Sequence, residues 1–253
     1  MTSDSQTTNY EPPATNRQPT HIYGINPAFE VITAGRRTIY EAFIADISNP
    51  RIKKLLSLLE KRNIKISIVD KGKLINLIRN KYHQGVVLAV SAYPYVPFHT
   101  LFDSNRLLLL DNIEDTQNMG AILRSAEIMG FNSIMLAKRG TPKIYASVVK
   151  VSAGATEHLR ITQDLNANSY VKKAKELGYT IISLDKNGKH SLSETAAAKP
   201  QKIMLVIGGE DKSVGQFILN ESHFILGIQQ HGKINSLNAS VAAGIGMYMI
   251  STL

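Results

Sequence analysis

Residues 106–126 read Arg-Leu-Leu-Leu-Leu-Asp-Asn-Ile-Glu-Asp-Thr-Gln-Asn-Met-Gly-Ala-Ile-Leu-Arg-Ser-Ala. Four consecutive leucines have no polar face, so a strand built from them must be covered on both sides, as in a parallel sheet enclosed by helices. The strand ends at Asp111, and from Met119 to Met129 the apolar spacing becomes helical before the stop at Gly130. Further strands are predicted at 133–137, 180–184, 203–207 and 223–228, and helices at 144–152, 168–177 and 237–250. This alternation gives an α/β domain with a mostly parallel sheet. In such sheets ligands bind beyond the carboxyl ends of the strands, so a site is expected just after Leu110, Ile207 and Ile228.

Upstream, residues 92–100 read Ala-Tyr-Pro-Tyr-Val-Pro-Phe-His-Thr. The two prolines oppose both helix and central strand, and a linker is expected over 92–104. Before it, helices at 26–33, 51–62 and 74–78 alternate with strands at 39–44, 65–69 and 86–90, predicting a small α/β domain over 21–91. Residues 1–20 are polar and carry two prolines, and are expected to be a mobile tail. The second domain then runs over 105–253. No repeat of fixed period is visible.

The chain has 253 residues, 43% of them hydrophobic, and no cysteine. Disulfide scaffolds, thiolate metal sites and cysteine nucleophiles are excluded, no metal is expected, and a cytoplasmic location fits best. The apolar run 239–250 falls short of the ~20 residues of a membrane span, and the polar N-terminus offers no signal-peptide core. The net charge is +9, and residues 21–91 hold twelve Lys/Arg against five Asp/Glu. A basic surface of this kind binds phosphate backbones without reading sequence, or simply keeps a protein in solution. Arg36, Arg37, Lys53, Lys54 and Arg62 are the candidates for holding backbone phosphates of a nucleic acid.

At the first strand end, Asn118 is placed to cap the following helix, and Arg124 lies about two turns further along it. A guanidinium among apolar and small residues points to an anion or a reacting group, or to a polar surface stripe. At the second, Gly208-Gly209 leave backbone atoms open to a ligand and Glu210 follows them, although a plain turn explains this triplet equally. At the third, residues 228–240 run Ile-Gln-Gln-His-Gly-Lys-Ile-Asn-Ser-Leu-Asn-Ala-Ser, and the helix after them is rich in Ala and Gly, so something packs closely on it. No Walker loop and no complete Gly-x-Gly-x-x-Gly opens a helix here, which disfavours nucleoside triphosphates and dinucleotides.

Together, Asn118-x-Gly-Ala-x-x-Arg-Ser-Ala, Val206-Ile-Gly-x-Glu210 and the stretch from Ile228 through Gly232 to Ser236-Leu-Asn-x-Ser-Val-Ala resemble the three motifs of the SpoU branch of the SPOUT superfamily, the RNA ribose 2'-O-methyltransferases. His83-Gln-Gly-Val and the preceding Tyr23-Gly resemble the small ribosomal-protein-like substrate domain of the group acting on a guanosine of large-subunit rRNA in bacteria and mitochondria. The resemblance implies a trefoil-knotted C-terminal domain, S-adenosylmethionine as methyl donor and a homodimer. It assigns the cofactor to Gly208, Ile228 and Leu237, and catalysis to Arg124, Asn118, Glu210, Ser236 and Asn238. Arg124 is expected to position the ribose and steady charge on its 2'-oxygen; a guanidinium is a poor base. Two departures stand out: Gln229 where the family has proline, and Ala239 where it has valine. A tRNA methyltransferase and a non-catalytic RNA-binding protein of the same fold are the alternatives, with a nicotinamide oxidoreductase a distant third.

Overall fold

The computed structural model describes residues 18–210, 212–234 and 236–252, so residues 1–17 of the expected tail, and Asn235, lie outside the described residues. Seven elements form the first domain: β1 (Thr20–Tyr23), α1 (Ile25–Ala34), β2 (Ile39–Ile44), α2 (Pro50–Lys61), β3 (Ile66–Ile68), α3 (Lys71–Ile78) and β4 (Val86–Val90). The sheet order is β1-β4-β2-β3, with β4 antiparallel to β1 and β2 and with β2 and β3 parallel. Thr20, expected in the tail, pairs with Val90 and belongs to this sheet. In α2 a proline in the first turn and the Asn49 side chain, which accepts from the Arg51 N–H, fix the start. Ile52, Leu55 and Leu59 then bury one stripe and leave Lys53, Lys54 and Arg62 exposed.

The second domain comprises β5 (Arg106–Asp111), α4 (Thr116–Ile128), β6 (Ser133–Leu136), α5 (Ala146–Val151), β7 (Arg160–Thr162), α6 (Ala167–Glu176), β8 (Thr180–Leu184), α7 (Leu192–Ala197), β9 (Ile203–Gly208), α8 (Gln216–Glu221), β10 (Phe224–Leu226) and α9 (Ala239–Ser251). Its six strands are parallel, in the order β10-β8-β9-β5-β6-β7. Strand β5 has β6 on one side and β9 on the other, so the chain switches sides of the sheet between β5 and β9, and the carboxyl ends of these two strands frame a crevice. Near the far edge, residues 185–190 lie backbone to backbone on 225–227. His190 bridges to Leu226, the Ile225 N–H donates to His190 Nδ1, and a Cβ on Gly188 would overlap the Leu226 and Gly227 backbone. Only glycine permits that crossing.

The expected linker is packed rather than free. Tyr93 is buried and its hydroxyl donates to the carbonyls of Thr156 (2.8 Å) and Leu159 (3.0 Å); the Val96 N–H donates to Ile161 O, and a 3₁₀ turn spans Phe98–Asp103. The two domains share one apolar core in which Ile22, Val31 and Ile32 join Leu108, Val148 and Ile161.

This junction corrects two sequence expectations. The Arg37 guanidinium is fully buried and grips Glu157 with two nitrogens, Nε to Oε2 at 2.9 Å and Nη2 to Oε1 at 2.7 Å. Arg36 donates to the carbonyls of Pro94, Glu157 and Leu159. Both arginines therefore fasten the first domain to the second and present no free guanidinium to an RNA phosphate. Glu30 on α1 adds a pair to His158 at 2.8 Å.

Candidate active site

At the β5 end, Asp115 and not Asn118 caps α4, its carboxylate accepting from the N–H groups of Gln117 and Asn118. Asn118 is thus inside the helix and its side chain is free for other work. Its Nδ2 donates to Glu210 Oε1 at 3.0 Å. Glu210 follows β9, and the same Oε1 accepts from Asn238 Nδ2 at 2.7 Å and from the Ala239 N–H at 3.1 Å. Asn238 closes the triangle by donating to Asn118 Oδ1 at 2.8 Å, while its own Oδ1 caps α9 through Ser240 and Val241. Three strand-end segments thus converge on one carboxylate, seated at a helix N-terminus where negative charge is favoured.

Glu210 lies on the seam of two clefts. The first, an open cleft of about 800 Å³, is lined by Leu184, Ile207, Leu237 and Ala242 on its apolar side and by Asp185, Gly208, Gly209, Glu210, Ile228 and Ser236 elsewhere. Gly208, Ile228 and Leu237, singled out in the sequence for the cofactor, all line it, as does Ser236. Leu184 and Asp185 do so as well. They had not been singled out, although strand 180–184 ends there and the strand-end rule applied to it equally. The second cleft, of about 660 Å³, shares Gly209, Glu210 and Ala239 with the first and adds Asn112, Glu114, Asp115, Asn118 and Lys212. The wall between them is thin: a Cβ on Gly209 would overlap the Asn112 carbonyl. Below it, Asp111 is buried; desolvation raises its carboxyl pKa above the usual value, opposed by the hydrogen bond from Gly215 N–H.

Arg124 is not part of this cluster. It lies about 9 Å along α4 from Asn118 and roughly 120° around its axis, exposed beside Glu127, Ile128, Glu30 and His158. One turn beyond it on α4 Ile128 is exposed, and on α9 Val241, Ile245 and Tyr248 are exposed at a spacing that places them on one side of the helix. Among the described residues no group of His, Cys, Asp and Glu is placed to hold a metal, and no helix is long and apolar enough to cross a membrane.

A family model described as SpoU rRNA Methylase family matches residues 105–248, and one described as RNA 2'-O ribose methyltransferase substrate binding matches residues 21–96. The chain is 30% identical to the putative TrmH family tRNA/rRNA methyltransferase YacO of Bacillus subtilis, over 93% of this chain and 96% of that protein. It is 31% identical to an uncharacterized tRNA/rRNA methyltransferase of Archaeoglobus fulgidus, over 90% and 96%. Among solved structures it is similar to the SpoU methyltransferase AviRb from Streptomyces viridochromogenes (TM-score 0.76, 18% identity, 93% of this chain and 89% of that one). It is also similar to an AdoMet-bound rRNA methyltransferase from Sinorhizobium meliloti (TM-score 0.75, 20% identity, 92% and 86%). At these identities the structural likeness is one of fold.

Proposed function

The chain belongs to the SpoU rRNA methylase family, with the α/β, trefoil-knotted SPOUT fold behind a small substrate-binding domain, and from that membership and the geometry of the cleft we propose that it is an S-adenosylmethionine-dependent RNA ribose 2'-O-methyltransferase. The observation that carries the reading is the convergence of Asn118, Glu210 and Asn238 on the seam between two clefts. The first cleft fits the cofactor: it has an apolar wall for a purine, glycines that let backbone reach the ligand, and the Asp185 carboxylate for polar groups. When bound, the cofactor supplies a methyl group already activated by the positive charge on sulfur. The work left to the chain is to bring a ribose hydroxyl into line with that methyl and to help its proton leave.

The second, more polar cleft receives the target nucleoside. Asn118 and Asn238 are locked by the hydrogen bond between them and by Glu210, so their positions need no reorganisation when the ribose arrives. Ser236 stands at the mouth of the first cleft, exposed and able to meet the ribose or the cofactor. Lys53, Lys54 and Arg62 on the solvent side of α2 hold RNA backbone. The substrate is a guanosine of large-subunit rRNA, on the likeness of the first domain to the substrate domain of that group. The relatives carry the broader description tRNA/rRNA methyltransferase.

Arg124 enters through a second copy of the chain. Ile128, Val241, Ile245 and Tyr248 leave apolar surface exposed on α4 and α9, and a two-fold dimer that buries it places Arg124, one turn from Ile128, at the edge of the interface. In this arrangement Arg124 steadies the ribose oxygen and the neighbouring phosphate of an RNA held by the other copy.

Transfer of labelled methyl from S-adenosylmethionine to rRNA and to tRNA, with the product mapped by resistance of its phosphodiester to alkali, tests the activity. Calorimetry that detects no S-adenosylmethionine binding would leave only an RNA-binding protein of this fold. Arg124→Ala is expected to abolish transfer while keeping cofactor affinity. Mixing it with inactive Glu210→Ala is expected to restore up to one working site per mixed dimer; a monomer in light scattering, or no rescue on mixing, refutes the dimeric site.

A further inference from the structure

We propose that loop 138–145 is a single-stranded RNA track, with Tyr145 as a platform on which one base next to the target nucleotide stacks and Arg139 and Lys143 as phosphate contacts. The inference rests on the RNA reading above but concerns residues outside the two clefts. From residue 128 to residue 156 the sequence holds four Lys/Arg and no Asp/Glu. Three of the four, Lys138, Arg139 and Lys143, are exposed on this loop, and none forms an ion pair among the described residues.

The loop leaves the carboxyl end of β6, the same edge of the sheet that carries Asn118 and Glu210. It is also pressed against the second cleft: at Gly140, in the left-handed region with φ of 79°, a Cβ would sit 2.6 Å from Asn112 Oδ1. Asn112 lines that cleft. Beyond Gly140 the loop borders an open groove of about 1050 Å³ between the two domains, lined by Tyr95, Lys143, Tyr145, Thr162 and Gln163 among others. A nucleotide chain leaving the second cleft along this edge therefore meets Arg139, then Lys143, then the Tyr145 ring.

The ring is suited to stacking. Tyr145 is 54% exposed, a large aromatic surface with no evident packing role. Its neighbour Tyr95 accepts the Ile144 N–H at 2.7 Å and packs edge-on against buried Tyr93 at 5.0 Å, so the backbone that carries Tyr145 is fixed from below. Gln163 braces the loop from the side, donating to the carbonyls of Thr141 and Pro142. Among the described residues the one carboxylate lining the groove, Asp164, already accepts from Tyr170 Oη (2.7 Å), Phe98 N–H (3.2 Å) and Thr162 Oγ1 (3.0 Å), which spreads its charge over three donors. An exposed aromatic flanked by unpaired cations is the pattern that holds unpaired bases; duplex RNA, whose bases are stacked on each other, does not use it.

The test uses the full chain and an oligouridine of about 12 nucleotides as the probe. Tyr145→Ala is expected to weaken its binding by about 5- to 150-fold, the loss of one base–aromatic stack, and Tyr145→Phe to retain it. Replacing Arg139 and Lys143 together by alanine is expected to flatten the dependence of affinity on salt by about 0.7 logarithmic units per contact. Against a duplex of the same length Tyr145→Ala is expected to change nothing. Wild-type oligouridine affinity in Tyr145→Ala, an equal loss on duplex, or no oligouridine binding by the native chain each overturns the track. Methyl transfer separates this proposal from the enzyme reading: an RNA-binding defect in Tyr145→Ala with no transferase activity in the native chain keeps the track and rejects the enzyme. Normal transfer with unchanged KM in Tyr145→Ala rejects the track alone.

Discussion

Replacing Arg37 by methionine distinguishes a structural from an RNA-binding role for the most buried cation of the first domain. The substitution keeps most of the side-chain stem and removes the guanidinium, leaving the Glu157 carboxylate only 1% exposed and with Thr156 Oγ1, at 3.5 Å, as its remaining side-chain donor. Removing one partner of a fully buried ion pair costs about 3–5 kcal/mol, because the charge left behind has neither water nor counter-ion. That is a large share of the roughly 5–15 kcal/mol by which a domain is stable. With an m-value near 3 kcal/mol/M in urea, the midpoint is expected to fall by about 1 M or more. Because Arg37 joins two domains through a continuous core, the loss also weakens their coupling, and the single transition is expected to broaden or split.

Far-ultraviolet circular dichroism and tyrosine emission in urea provide two independent probes; the sequence has ten tyrosines and no tryptophan to mask them. The double variant Arg37→Met with Glu157→Met completes the cycle. It is expected to recover most of the stability, since an apolar pair of similar volume often replaces a buried ion pair without loss, and because Arg37 Nη1 has no hydrogen-bond partner among the described residues. The salt dependence of RNA affinity is expected to be unchanged in both variants. If Arg37→Met instead unfolds at the native midpoint while the slope of log affinity against log salt drops by about 0.7–0.9, Arg37 is a phosphate contact and does not hold the domain junction.

Two further predictions concern the site and the response to acid. Glu210→Ala is expected to keep cofactor affinity within a few-fold while methyl transfer falls by about 100-fold or more, since Asn118 and Asn238 lose the acceptor that orients them; transfer within a factor of two of native in single turnover would remove Glu210 from the catalytic cluster. Burial lowers the pKa of His21, His83 and His223 below the ordinary 6.5, with Lys71 and Lys150 adding to the effect at His83. The unfolded chain then binds more protons than the folded one, so the contribution of these histidines is complete above that value and is lost as pH falls through their lowered folded values. The urea midpoint is expected to decline from about pH 7 to about pH 5, less steeply in His83→Gln; an equal slope in that variant refutes the assignment of His83.

The elements legible in the sequence are those in which burial on two faces or a helical stripe leaves a pattern. Strands 39–44 and 86–90 coincide with β2 and β4, and the four leucines of β5 placed the parallel sheet. Strand β7 (Arg160–Thr162) and helices α7 and α8 were missed: unlike β3, β10 and α5, which are as short but sit inside the predicted runs 65–69, 223–228 and 144–152, their few residues show no alternation or helical stripe. At the site, motif spacing led to Asn118, Glu210 and Asn238, but not to the order of their bonds. Asp115 and Asn118 are equally good caps by residue type, and only the chain geometry gives the cap to Asp115 and frees Asn118 for Glu210. Arg36 and Arg37 show the limit of charge counting. Their partners lie 58 to 123 residues away, and composition cannot separate a cation that neutralises a buried carboxylate from one that meets solvent.

That limit bears on how RNA is held. With Arg36 and Arg37 committed to Glu157 and to backbone carbonyls, the first domain is set against the second by a buried ion pair and by half-buried hydrogen bonds. Its remaining surface cations, Lys53, Lys54 and Arg62 among them, then stand at fixed distances from the Asn118–Glu210–Asn238 cluster. Phosphate contacts carry no sequence information of their own and serve to set register. In the function proposed above, a rigid junction converts their attraction into a choice of which ribose along the strand reaches the seam between the clefts. Loosening that junction is therefore expected to blur the methylation site before it weakens RNA binding, an ordering that a freely swinging substrate domain would not produce.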